Sequence, residues 1–125
     1  MLIPTDLRYS EDHEWMRVEK DVLILGITDY AQSELGDIIF VELPDINTIV
    51  SSKESIGTIE AIKTVADIYS PIDGEIIDIN EQINDSPDLI NSDPYEKGWL
   101  VKIKIKVLSQ LDNMLTKEQY MKIVG

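Results

Sequence analysis

Short apolar runs broken by turn residues, rather than long amphipathic repeats, set the pattern of this chain. Val22–Ile27 is continuously apolar over the length of one strand, which predicts a strand buried on both faces. Trp99–Val107 instead alternates, with Val101, Ile103, Ile105 and Val107 on one face and Lys102, Lys104 and Lys106 on the other. That pattern predicts a strand with one face in the core, its lysines guarding a sheet edge. Further short strands are expected at Leu7–Tyr9, His13–Val18, Asp37–Leu43, Ile49–Val50, Ile56–Ala61, Val65–Ser70 and Glu75–Asn80. The segments between them, such as Ser10–Asp12, Pro44–Asn47, Ser51–Lys53 and Pro71–Gly74, carry turn chemistry. Strands of this length at such even spacing predict a mainly β fold of two small sheets, a sandwich or barrel.

Helical signals are local and peripheral. Thr28 as N-cap, Asp29 in the first turn and Gly36 after Leu35 predict a two-turn helix, Asp29–Leu35, with a narrow stripe of Tyr30, Ala31 and Leu35 to cover one end of a sheet. Ser86–Gly98 reads as a loop with one helical turn. Ser109 is expected to cap a short helix to about Leu115 that buries Leu111, Met114 and Leu115, and Thr116 with Gln119 has the spacing of a capping box opening a last helix to about Val124. The expectation is one domain over residues 1–125, its core at about 7–107 and its C-terminal helices at about 109–124.

Composition then narrows the chemistry. With 24 Asp and Glu against 11 Lys and Arg, a net charge of −13 opposes a nucleic-acid partner and favours basic protein partners. No stretch approaches the roughly 18 to 20 apolar residues of a membrane span, and the N-terminus lacks the features of a signal peptide. The expectation is a cytoplasmic protein with no membrane contact, monomeric by default. The absence of cysteine removes disulfides, thiolate zinc sites and a thiol nucleophile, so any thiol chemistry must come from a cofactor. His13 is the only histidine, which excludes a His-cluster metal site; it reads as a packed or hydrogen-bonded part of the first strands. Trp15 and Trp99 read as core or near-core. Glu11 and Glu14 form an acid pair, but no nucleophile or phosphate-cradling loop accompanies them, so the chain is not expected to be an enzyme.

Two β-rich runs flank Lys63 with no Gly, Asn or Pro to explain the reversal between them. Ile62, Thr64 and Val65 are β-branched and stiffen the backbone around it. A lysine at such a tip stands clear on a flexible four-carbon stem, open to enzymatic acylation. An ordinary solvated lysine in a hairpin loop is the alternative that Lys63 alone leaves open.

A wider set of residues carries a resemblance. Leu7-Arg-Tyr-Ser10 with His13-Glu14-Trp15, Gly26-Ile-Thr-Asp-Tyr-Ala-Gln32, Leu35 through Pro44, Glu60-Ala-Ile-Lys63, Asp67 through Glu75, Ser86-Pro87, Leu89-Ile-Asn91, Pro94-Tyr95 and Gly98-Trp-Leu100 run in order over nearly the whole chain. In these the sequence resembles the H-protein family of the glycine cleavage system. The resemblance implies a barrel-sandwich hybrid fold of the lipoyl- and biotinyl-carrier type, with lipoate amide-linked to Lys63 and Glu60 read by the lipoyl-attaching enzyme. It also implies partners. These are a glycine decarboxylase using pyridoxal phosphate, an aminomethyltransferase using tetrahydrofolate, and dihydrolipoamide dehydrogenase, between which the carrier shuttles an aminomethyl group. In the family the loaded arm folds back on the protein, and the receiving positions map to Asp12, Glu14 and Asp67, where carboxylates would pair with its ammonium. Asp12 and Asp67 are expected to supply the charge and Glu14 to assist.

Three positions depart from the family's usual pattern. Ser51-Ser52-Lys53 replaces a Gly-containing turn, Glu34 stands where histidine sometimes occurs, and Thr64 replaces a common alanine. A biotinyl carrier is disfavoured because that family carries Met on both sides of the lysine, here Ile62 and Thr64. A 2-oxoacid dehydrogenase lipoyl domain would be followed by a linker and further domains. The competing function is an H-like lipoate relay protein that donates its lipoyl group to other carriers.

Overall fold

The computed structural model describes Met1 to Gly125. Strands β1 (Arg8–Tyr9), β2 (Glu14–Glu19), β3 (Val22–Ile27), β4 (Ile38–Glu42), β5 (Ile49–Val50), β6 (Ser55–Ala61), β7 (Val65–Tyr69), β8 (Gly74–Ile79) and β9 (Val101–Ile105) form two antiparallel sheets. The larger runs β1-β2-β3-β9-β8-β5 and the smaller β4-β6-β7; neither closes on itself. The mainly β, two-sheet expectation describes this architecture, with each strand within a residue or two of its expected ends.

The sheets are held together by an apolar cluster of 18 residues. Leu23, Leu25, Ile76, Val101 and Ile103 enter it from the larger sheet, and Ile38, Val41, Ile59 and Ile68 from the smaller. Full burial of each such side chain stabilises by about 1.5–3 kcal/mol, so this layer fixes how the small sheet sits on the large one. A second cluster of 7 residues, including Tyr9, Trp15, Tyr95 and Tyr120, lies around β1 and β2. Trp15 is fully buried, and its indole N–H donates to the Pro94 carbonyl at 2.9 Å. Its cross-strand partner is Gly26, and the indole fills the space a Cβ at that position would need. Trp99 is half-buried, with Lys102 Nζ 5.1 Å from its ring.

The structure corrects several expectations. Strand β9, which carries Lys102 and Lys104, is interior, hydrogen-bonded to β3 on one side and β8 on the other, so these lysines guard no edge, and Lys106 lies just past the strand's end. Alternation fixes which face a side chain takes but not which strands lie alongside. The strand also ends at Ile105, leaving Val107 38% exposed rather than in the core. The segment after it is a 3-10 helix, Leu108–Asn113, with Val107 and not Ser109 at its N-cap and no side-chain cap bond. Leu111, Met114 and Leu115 are only partly buried there. His13 lies just before β2, at φ 64°, and not within a strand.

Helix α1 (Asp29–Leu35) is capped as expected: the Thr28 hydroxyl accepts from Ala31 N–H, and Gly36 follows at φ 80°. The one-turn helices α2 (Gln82–Asp85) and α3 (Leu89–Ser92) come next, the first unforeseen, and α4 (Lys117–Val124) opens on the Thr116–Gln119 capping box. Leu115 exchanges two backbone hydrogen bonds with Tyr9, which brings α4 against β1. No helix is long and apolar enough to cross a membrane.

Candidate functional site

The reversal between β6 and β7 is made by Ile62, Lys63 and Thr64, none of them at positive φ. Two backbone bonds hold it: Ala61 N–H donates to Thr64 O at 2.8 Å, and Ile62 N–H reaches across to Asp37 O at 3.1 Å. The tip is thus tied to the chain leaving α1. The Asn91 amide braces the same corner, donating to Gly36 O and Gln32 Oε1, both at 2.9 Å, and accepting from Ile38 N–H at 3.0 Å. Lys63 is exposed, and its stem passes over Gly36, where an added Cβ would lie 3.7 Å from Lys63 Cε.

From that corner α1 leads back towards the turn before β2. Its C-terminal end, Leu35–Gly36, lies beside Lys63, and its first turn brings the Tyr30 ring 4.9 Å from the His13 imidazole. Seven residues of α-helix span about 10 Å. Along this helix lies a groove of about 310 Å³, with Ala31 and Leu35 from α1 and the cross-strand pair Ile59 and Ala66 from the small sheet among its apolar lining. Asp12, Glu14 and Asp67 also line it, together with His13 and Glu34. The three acids singled out in the sequence therefore share one cavity with an apolar wall. Glu60 does not join them: it lies between Phe40 and Val65 in the small sheet and is exposed.

The acids differ in setting. Asp67 is exposed and accepts from the Ser55 hydroxyl at 3.2 Å and the Tyr69 hydroxyl at 3.3 Å. Asp12 is exposed on the turn. Glu14 is only 2% exposed; Ser10 Oγ–H donates to one carboxyl oxygen at 3.2 Å and Tyr69 N–H to the other at 2.9 Å. Burial outweighs these donors and pushes the Glu14 carboxyl up to about 8, with the nearby Asp12 charge adding to the rise. At neutral pH this side chain is mostly uncharged.

His13 is held below the ordinary imidazole value by burial, against the opposing pull of Asp12 and Glu34. Its Nδ1 lies 3.0 Å from the Tyr120 hydroxyl, which is also 2.7 Å from the fully buried Thr28 hydroxyl. The groove's acidic end is therefore anchored to the C-terminal helix. Ser10, Ile59 and Ala66 were not singled out in the sequence. Ser10 had a usable signal, a hydroxyl four residues before a glutamate in a turn–strand junction. The other two are ordinary strand residues and carry none.

The arrangement provides an exposed amine on a hairpin tip, a partly apolar groove along α1 whose Leu35 end lies next to Gly36 and the Lys63 stem, and the carboxyl groups of Asp12, Glu14 and Asp67 within that groove. A long, largely apolar acyl chain on Lys63 whose end bears a cation is chemically suited to it. No cluster of His, Cys, Asp and Glu with the makings of a metal site is present.

Comparison with known proteins places this geometry in context. Residues 7–125 match the family model for the Glycine cleavage H-protein. The chain is 52% identical over 125 residues to a glycine cleavage system H protein of Geobacillus thermodenitrificans, covering all of this chain and 98% of that one. It is 48% identical over 125 residues to that of Staphylococcus carnosus, covering 99% of the relative. Among solved structures, the crystal structure of a glycine cleavage system H protein from Mycobacterium marinum superposes with a TM-score of 0.88 at 36% identity, over 96% of this chain and 97% of that one.

Proposed function

The chain belongs to the glycine cleavage H-protein family, and on that premise we propose that it is the lipoyl-bearing carrier of a glycine cleavage system, with lipoate in amide linkage to Lys63. Bound there, lipoate supplies a disulfide that takes up the aminomethyl group of glycine and a dithiol that is afterwards reoxidised, chemistry a chain without cysteine lacks. The enzymes it serves are the pyridoxal-phosphate glycine decarboxylase, the tetrahydrofolate-dependent aminomethyltransferase and dihydrolipoamide dehydrogenase, and the site of action is the cytoplasm. The chain itself is a carrier and not a catalyst.

The residues divide the work. Lys63 holds the arm by its amide bond, and the tip bonds to Asp37 and Thr64 set where the arm starts. Ala31, Leu35, Ile59 and Ala66 shelter the apolar length of the arm along α1 and keep water from it. Asp12 and Asp67 receive the terminal ammonium. Glu14, uncharged when the groove is empty, lies beside them, and an arriving cation favours its ionised form. Loading the arm thus draws a proton off the protein. With only one close ion pair, Arg17–Glu96 at 3.4 Å, most of the 24 acids stay free to steer basic partners.

The observation that supports this reading most is the alignment of Lys63, the groove and the three acids along α1. Its test is reconstitution. Lipoylated protein added to a purified glycine decarboxylase should support exchange of labelled bicarbonate into glycine, and Lys63→Arg protein put through the same lipoylation reaction should not. Failure of the lipoylated protein, with ready transfer of its lipoyl group to an apo-carrier domain by an amidotransferase, would instead establish the relay function.

A further inference from the structure

The small sheet carries a bulge with a consequence for its outer surface. In β4, Ile38 pairs with Ala61 and Phe40 with Glu60, so Ile39 has no partner across the ladder. Regular alternation would turn one of Ile39 and Phe40 inward. The bulge instead leaves them 50% and 54% exposed. Phe40, Glu60 and Val65 then form one cross-strand row, and Val65 is 59% exposed. Ile62, the residue before Lys63, is 72% exposed. Single exposed apolar residues are ordinary, but four around one lysine, two of them presented by a bulge, form a patch.

The charge around the patch has one sign. β4, β6 and β7 contain Glu42, Glu60 and Asp67 and no Lys or Arg, and in the sequence Lys63 is the only basic residue between Lys53 and Lys97. A complementary surface would offer apolar seats with a basic group between them to meet Glu60. Geometry selects among the possible occupants. Enzymes that act on the far end of an acyl arm are held off by its length, whereas an acylating enzyme must bring its reactive centre to Lys63 Nζ. A lysine stem reaches only about 6 Å from the backbone, so that enzyme's surface must meet Ile62 and its neighbours.

Resting on the carrier reading above, we propose that Ile39, Phe40, Ile62 and Val65, with Glu60 set between Phe40 and Val65 and Glu42 at the end of β4, are the docking surface for the enzyme that acylates Lys63. In the step it serves, Lys63 Nζ as the free amine attacks the carbonyl carbon of a lipoyl adenylate. The C–N bond forms, the C–O bond to the phosphate breaks, adenylate departs and the nitrogen's proton goes to solvent.

The test measures kcat and KM of a lipoate–protein ligase for unmodified carrier, at fixed lipoate and ATP, with Phe40→Thr/Val65→Thr and, separately, Ile62→Thr at the tip, where no ladder pairing is at risk. Removal of aromatic and aliphatic anchors is expected to raise KM about tenfold with kcat within about twofold. Glu60→Gln should flatten the rise of KM with salt. Each variant, once lipoylated by long incubation, should be reduced by dihydrolipoamide dehydrogenase, with NADH as the two-electron donor, at the wild-type rate. Wild-type protein that is not acylated at Lys63 would overturn the carrier reading itself. Wild-type acylation with unchanged KM in both apolar variants, or an equal loss towards the dehydrogenase, would overturn the docking surface and leave the carrier reading standing.

Discussion

Replacing Glu14 with Gln keeps the side chain's shape and removes its ability to ionise, and the structure sets the size of the effect. The folded protein holds this carboxyl at about 8 against an ordinary value of 4.5. Below 4.5 both folded and unfolded chains keep the proton, and the group does not tilt the balance. Between 4.5 and about 8 only the folded chain keeps it, so stability falls as pH rises, by up to about 1.4 kcal/mol per pH unit. Above about 8 the folded state carries a buried charge. An interval of roughly 3.5 pH units sets a ceiling of about 5 kcal/mol on the wild-type loss. The Glu14→Gln variant carries no such penalty, since the new amide oxygen can accept from Tyr69 N–H and the amide nitrogen can donate to Ser10 Oγ. Urea unfolding of both proteins from pH 4 to pH 9 isolates the term, because every other titrating group is common to the two. Glu14→Gln should match the wild type near pH 4 and become several kcal/mol more stable by pH 9. Parallel curves across the range would refute a buried, protonated Glu14.

Three other perturbations follow from the geometry. Asp67→Ala should hasten loss of the aminomethyl group from the loaded carrier by up to about fivefold, the worth of a partly exposed ion pair; an unchanged rate in a formaldehyde-release assay would remove Asp67 from arm docking. Gly26→Ala should cost about 3 kcal/mol in chemical denaturation, because the new methyl falls within the fixed Trp15 indole; a neutral result would show that the ring moves aside. Tyr120→Phe should lower the unfolding free energy by about 1–2 kcal/mol through loss of the bonds to Thr28 and His13, while the ring keeps its stack on Tyr9 at 4.8 Å; a variant as stable as the wild type would mean those bonds contribute nothing net.

What the chain discloses of itself depends on how far apart the interacting residues lie. The Thr28 cap and the Thr116–Gln119 box are contacts within four residues, and both were legible and are present. Strand positions were legible from apolar pattern. The interior place of β9 was not, because three lysines on one face look the same on a central strand and an edge strand. The bulge at Ile39 was hidden for a similar reason: it is defined by register against β6, some twenty residues on. At the candidate site, the family resemblance singled out Asp12, Glu14 and Asp67, which the structure brings to one groove, whereas the burial of Glu14 was not legible, since its closing donor, Tyr69 N–H, lies 55 residues away. Nor does sequence show that Ile59 and Ala66 wall the groove, for any apolar strand residue has the same local signature.

The central claim is that Lys63 is the attachment point of a lipoyl arm, and intact mass with peptide mapping tests it most directly. Protein isolated from its own cells, with their lipoylation enzymes intact, should carry a single lipoyl-sized increment on the peptide containing Lys63, absent from Lys63→Arg protein. An unmodified Lys63 in those cells, or the increment on another lysine, would contradict it.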